Sequence, residues 1–83
     1  MRVTLKLYAT LSDRLPPGTQ HNTLVLEVPE ATTPAQLIER QQLPLEMVHL
    51  VLRNGVYLNR EERSQVDLQE DDVLAIWPPI AGG

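Results

Sequence analysis

The residues of this chain best suited to chemistry are its last six, Pro78-Pro79-Ile80-Ala81-Gly82-Gly83. Proline lacks the N–H that a sheet ladder needs and holds φ fixed, so Pro78-Pro79 is expected to leave a preceding strand as a stiff, extended spacer. Six extended residues reach at most roughly 20 Å. Gly82 and Gly83 have no Cβ and can pass a narrow channel. The α-carboxylate of Gly83 is ionised at neutral pH. Such a carboxylate, on an unhindered residue at the end of a tether, is suited to activation in a partner's active site. There it can attack ATP, and the acyl-adenylate formed has no side chain to obstruct a sulfur or nitrogen nucleophile.

The other candidate groups offer less. The chain has no cysteine, which excludes disulfides and thiolate metal sites. With no internal thiol, any sulfur it carries for transfer must sit on its carboxyl terminus. His21 and His49 have no ligand-like spacing, and a metal or catalytic site needs several converging groups. Glu61, Glu62, Glu70, Asp71 and Asp72 do not follow a calcium-loop pattern. Glu70-Asp71-Asp72 reads as a solvated turn, with salt-sensitive docking onto a partner's arginines as the alternative. There is no glycine-rich phosphate loop, Ser/His/Asp set or basic stripe. The expectation is no metal, no stably bound cofactor and no catalytic constellation. Only three aromatic residues occur, Tyr8, Tyr57 and Trp77. Strand alternation puts Tyr8 and Trp77 on the outer face of a sheet, with Tyr57 joining them, and large rings grouped on one face favour a protein partner.

The elements that would position these groups fit one small domain of 83 residues, 42% hydrophobic and with a net charge of −4. That charge disfavours nucleic acid and anionic membranes and favours a partner with a basic face. No apolar run approaches the roughly 18 residues of a membrane span, and Met1-Arg2-Val3 leads directly into a strand pattern. A cytoplasmic location is the expectation.

Val3, Leu5 and Leu7 alternate with polar residues as in a half-buried strand. Ala9 to Leu15 fits a short helix ended by Pro16-Pro17-Gly18. Thr23 to Val28 reads as a second strand with Leu24, Leu26 and Val28 inward. Thr33-Pro34-Ala35-Gln36 is a capping signal for a helix from Pro34 to about Gln42 that buries Leu37 and Ile38. Met47 to Arg53 reads as a third strand with Val48, Leu50 and Leu52 in the core. His49, Val51 and Arg53 then face outward, Arg53 as an ordinary solvated charge. Asn54-Gly55 predicts a tight hairpin into Val56-Tyr57-Leu58. Asn59 to Gln65 is a charged loop, Leu68 plugs the core, and Leu74 and Ile76 point inward from a last strand ending at Trp77. The fold class is α+β, a β-grasp (ubiquitin-like) arrangement. About five strands form a mixed sheet against one main helix, with the last strand central beside the first. Residues 1–77 form the domain and 78–83 an extended, flexible tail.

The run from Val66 to Gly83 resembles the carboxyl-terminal signature of the MoaD/ThiS family of ubiquitin-like sulfur carriers. That signature is a leucine, an acidic turn, an apolar strand, Pro-Pro, a small apolar residue and Gly-Gly. The segment from Leu7 to Leu15 is most like the MoaD branch, the small subunit of molybdopterin synthase. One departure is Asp71-Asp72 where the family usually has Gly-Asp, which is expected to alter the turn. The resemblance implies a protein cosubstrate with no active site of its own. An E1-like adenylyltransferase (MoeB/ThiF-type), using ATP and magnesium, would adenylate Gly83. A sulfurtransferase or cysteine desulfurase would then supply sulfur for a Gly83 thiocarboxylate. In the molybdopterin branch the tail, with Pro78 and Pro79 setting its reach and Ile80, Ala81 and Gly82 behind the reacting residue, enters the synthase large subunit (MoaE-type). Tyr8, Tyr57 and Trp77 stand at strand positions where MoaD-like carriers dock both partners. Alternatives are a sulfur carrier for thiamin, tRNA thiolation or cysteine synthesis, and a ubiquitin-like docking or conjugation module.

Overall fold

The computed structural model describes residues 1–79. Five strands form one mixed sheet in the order β2-β1-β5-β3-β4. They are β1 (Arg2–Leu7), β2 (Thr23–Glu27), β3 (Leu50–Arg53), β4 (Val56–Tyr57) and β5 (Val73–Trp77), and the α-helix α1 (Pro34–Arg40) follows β2. β1 pairs antiparallel with β2 and parallel with β5. β3 lies antiparallel to both β5 and β4. The last strand is therefore central, flanked by the first strand and by the β3–β4 hairpin.

The local signals explain the elements. β1 buries Val3, Leu5 and Leu7 at alternate positions, so one face of the strand is apolar and one is not. A 3₁₀ helix over Ala9–Arg14 buries only Leu11. At α1, the Thr33 side chain accepts from the Gln36 N–H and the Gln36 side chain accepts from the Thr33 N–H, with Pro34 in the first turn. The helix ends at Arg40, about half a turn before the sequence expectation. Seven residues are too few to hold a helix in water, so its stability comes from Leu37 and Ile38, which are buried in the common core with β1 and β5. The Asn54-Gly55 turn has both residues at positive φ, 50° and 83°, the conformation whose twist matches a tight hairpin. Leu68 is 1% exposed and completes the core.

The third strand departs from expectation. It begins at Leu50, because Leu45–Met47 forms a 3₁₀ turn. Val51 is fully buried and lies opposite Ile76, while Leu50 and Leu52 are only partly buried and lie opposite Trp77 and Ala75. Leu50 and Leu52 thus belong to the outer face, and Val51 to the core. The charged loop is also more ordered than its composition implied. Asn59 and Glu62 exchange reciprocal hydrogen bonds of 2.8 Å at the start of a 3₁₀ turn, Glu62–Ser64, and Arg63 within it is buried.

The acidic turn before β5 is not simply solvated. Asp71 is exposed at φ 67°, the left-handed conformation that glycine adopts without strain. The turn at Asp71 thus has a backbone conformation that glycine adopts freely. Asp72 is 6% exposed. Its carboxylate accepts hydrogen bonds from Arg53 Nε (2.8 Å), Asn54 Nδ2 (2.8 Å) and the Gln69 N–H (2.7 Å). Arg53 is accordingly an ion-pair partner, not a free surface charge.

Candidate functional site: the aromatic face and the chain exit

The outer face of the sheet is built by strand phase. Thr4 and Lys6 of β1, Val73, Ala75 and Trp77 of β5, Leu50 and Leu52 of β3, and Tyr57 of β4 share it through the pairings Lys6–Ala75, Ala75–Leu52, Trp77–Leu50 and Leu52–Tyr57. Tyr8 extends the same phase one residue past β1, where its N–H donates to the Ile76 carbonyl at 3.1 Å. This places its ring on that of Trp77, with centroids 4.3 Å apart and planes 5° from parallel. The stack leaves both rings half-buried.

Tyr57 stands apart from the stacked pair but on the same surface, 53% exposed, with Leu50 and Leu52 between them. The three aromatic positions read from the sequence are therefore joined, and two leucines that the sequence reading assigned to the core complete the patch. The missed signal was the unbroken apolar run Leu50-Val51-Leu52. Such a run carries no phase of its own. Contiguous apolar surface of this kind is what protein partners cover.

The chain leaves the domain beside this face. His49 donates its N–H to the Trp77 carbonyl at 3.0 Å, which holds the end of β5 against the start of β3. Pro78 remains buried and Pro79 is exposed. Ile80, Ala81, Gly82 and Gly83, the positions assigned to activation and its approach, lie outside the described residues.

At the opposite end of β5, the Asp72 group ties the strand to the β3–β4 hairpin. Asn54 both donates to Asp72 and accepts from the Val73 N–H at 2.8 Å, and its own N–H donates to the Val73 carbonyl. Burial by itself would raise the Asp72 pKa. Hydrogen bonds from Asn54, the Gln69 N–H and Arg53, together with the Arg53 charge, outweigh it and hold the carboxyl below its usual value. The group is therefore a structural clamp on β5, the strand that carries both Trp77 and the exit. His21 and His49 are exposed, and no group of metal-ligating side chains occurs among the described residues. No helix there is long and apolar enough to cross a membrane.

Comparison with known proteins agrees with this architecture. The model of the ThiS family matches residues 6–83. No curated protein sequence matches the chain. Among solved structures, the HVO 2177 protein of Haloferax volcanii superposes with a TM-score of 0.79 at 19% identity, over all of this chain and 87% of that one. SAMP1 from the same organism gives 0.70 at 22% identity, over the whole of both chains. A complex of subunits 1 and 2 of the molybdopterin-converting factor from Helicobacter pylori contains a chain that matches at 0.64 and 15% identity, again over both chains in full. At these identities the likeness establishes the fold, a ubiquitin-like β-grasp.

Proposed function

This chain belongs to the ThiS family of ubiquitin-like sulfur carriers, and from that premise we propose that Gly83 is its sulfur-bearing residue and molybdopterin synthesis its pathway. The Gly83 carboxylate attacks the α-phosphorus of ATP in an E1-like adenylyltransferase, forming the acyl-adenylate and releasing pyrophosphate. A persulfide from a sulfurtransferase or cysteine desulfurase then displaces AMP. A thiol cleaves the S–S bond of the acyl persulfide by reduction, leaving a thiocarboxylate on Gly83. Magnesium belongs to the ATP of the activating partner. The thiocarboxylate is then delivered to an acceptor enzyme, in this reading the large subunit of a molybdopterin synthase.

The observation that carries the proposal is the position of the Tyr8–Trp77 stack at the root of the tail. A partner that docks on Tyr8, Trp77, Leu50 and Tyr57 has the chain exit at Pro79 within its footprint. The slim residues Ala81, Gly82 and Gly83 then need only a short channel to reach its active site. The docking energy is spent on presenting the carboxylate, and the carrier itself supplies no acid, base or metal.

The test is intact-mass measurement after incubation with an E1-like adenylyltransferase, ATP, magnesium and a sulfur donor. The expected product carries one sulfur in place of one oxygen, and the change disappears when Gly83 is removed. Gly82→Ala should impair charging while leaving the fold intact. An unchanged mass with an activating enzyme that demonstrably binds the chain would overturn the proposal. Transfer of the adenylated chain to lysine in the same mixture would instead mark it as a conjugated modifier. Incubating the charged protein with a synthase large subunit and with a thiazole synthase separates the molybdopterin pathway from the thiamin one.

A further inference from the structure

A cavity of about 360 Å³ opens on the side of the sheet that carries α1, away from the aromatic face. Ala35 and Ile38 of α1, Leu45 and Val48 line it with apolar atoms, and Arg60, Arg63 and Glu46 join them. Its volume is within the range of small-ligand sites. Leu45 is 77% exposed beside it, so this is apolar surface that no described residue covers.

Arg63 is the member that calls for a ligand. Its guanidinium is always charged, yet the residue is only 8% exposed. Nε donates to the Leu58 carbonyl and Nη2 to the His49 carbonyl, both at 3.2 Å. No carboxylate among the described residues forms an ion pair with Arg63 or with Arg60. Two neutral carbonyls thus hold the head group in place without neutralising it. Nη1 makes no hydrogen bond among the described residues, and since no fully buried side-chain nitrogen there lacks a partner, Nη1 is not fully enclosed. The remaining Nη1 edge of a fixed guanidinium, beside an apolar cradle, matches a carboxylate attached closely to an aliphatic group. Glu46 is the one acid at the site, and two arginines outnumber it.

We propose that this cavity binds the carboxy-terminal end of a peptide contributed by a protein partner. The partner's last side chain is aliphatic and lies among Ala35, Ile38, Leu45 and Val48. Its free carboxylate accepts hydrogen bonds from Arg63, with Arg60 adding charge. Among the residues of a protein, only a carboxy-terminal one carries an aliphatic side chain and an α-carboxylate on the same Cα, and capture of such termini is a recurrent recognition mode. The site is independent of the sulfur-carrier reading. It lies on the face opposite the Tyr8–Trp77 stack, so both surfaces can be occupied at once.

The experiment is an NMR titration of the full-length, isotope-labelled chain with N-acetyl-L-leucine, with N-acetyl-L-leucine amide as the neutral control. Saturable shifts are expected at Ala35, Ile38, Val48 and the Arg63 Nε–H, with the acid binding about tenfold tighter than the amide, as one charge-assisted hydrogen bond allows. Arg60→Gln should weaken the acid by about threefold, in line with an exposed charge pair, and leave the amide unchanged. Arg63→Met should abolish the preference for the acid; should that variant not fold, Arg60→Gln still decides. Equal binding of acid and amide, or no shifts at these residues, would overturn the proposal. So would movement of the same resonances on deleting residues 80–83, because the chain's own tail would then be the occupant.

Discussion

Replacing Asp72 with alanine should unfold this domain at markedly milder conditions, although Asp72 lies in what reads as an exposed acidic turn. The substitution removes the acceptor of three hydrogen bonds, from Arg53, Asn54 and Gln69. A hydrogen bond to a charged group contributes about 1.5–3 kcal/mol, so three intact bonds set a ceiling well above what is lost. The Arg53 side chain is 28% exposed and Asn54 is on the surface, so both can turn to water. The Gln69 N–H is less free to do so. Discounting the first two leaves an expected loss of about 3 kcal/mol, at the low end for breaking a buried ion pair. A chain of this length is held by roughly 4–12 kcal/mol, so the melting temperature should fall by about 12–24 °C. Urea unfolding gives the free energy, and an unchanged m-value would show that only stability moved. A double-mutant cycle with Arg53→Met isolates the pair, with a coupling of about 1 kcal/mol or more expected. A loss below about 1 kcal/mol for Asp72→Ala would refute the clamp. The acid limb supplies a second reading. Because the folded-state pKa lies below the usual 3.8, the stabilisation is fully present above that value. It is lost as pH falls through the lower folded-state value. Asp72→Asn should therefore show a shallower loss of stability than the parent as pH falls below 3.8. Parallel acid limbs would count against it.

Three further outcomes follow from the same geometry. Asp71→Gly should raise stability by about 0.5–1 kcal/mol, because glycine takes φ 67° without strain; a loss would mean the Asp71 side chain has an unrecognised role. Thr33→Ala removes one half of the α1 capping box and should lower stability by about 1 kcal/mol, measured by the same urea titration. Tyr57→Ala should change stability by no more than about 0.5–1 kcal/mol, since the side chain is largely exposed. It should weaken binding to the proposed activating enzyme by about tenfold or more by surface plasmon resonance, as expected of an interface aromatic. Full-strength binding would remove Tyr57 from the docking face.

Much of the fold was legible because several local signals are chemically unambiguous. Thr33-Pro34-Ala35-Gln36 can cap a helix in only one direction, Asn54-Gly55 demands positive φ twice, and Val3-Leu5-Leu7 has a period of two. Each appears in the structure as read. The Asp72 clamp was not legible, since its partners Arg53 and Asn54 are distant in sequence and meet only when β3 and β5 align. Arg63 was hidden for a related reason. Composition places an arginine among Glu61, Glu62 and Ser64 in solvent, and only the carbonyls of Leu58 and His49 make its burial tolerable.

The misread phase of β3 bears most directly on the proposed docking. Val48, Leu50, Val51 and Leu52 are all apolar, so alternation cannot say which set faces inward, and a one-residue slip exchanges the two faces. The strand's neighbour decides it. β5 has an unequivocal phase, with Leu74 and Ile76 fully buried, and the antiparallel register sets Val51 against Ile76 and Leu50 against Trp77. Val48 still reaches the core, because the 3₁₀ turn at Leu45–Met47 places it off the strand rather than in phase with Leu50. Two leucines are thereby delivered to the outer face, between the Tyr8–Trp77 stack and Tyr57. Without them Tyr57 would be an isolated exposed residue apart from the Tyr8–Trp77 stack, of a kind every surface carries. With them the rings become one apolar surface at the foot of the exit strand, so the apolar excess of β3 that obscured its register is also what makes the proposed docking face continuous.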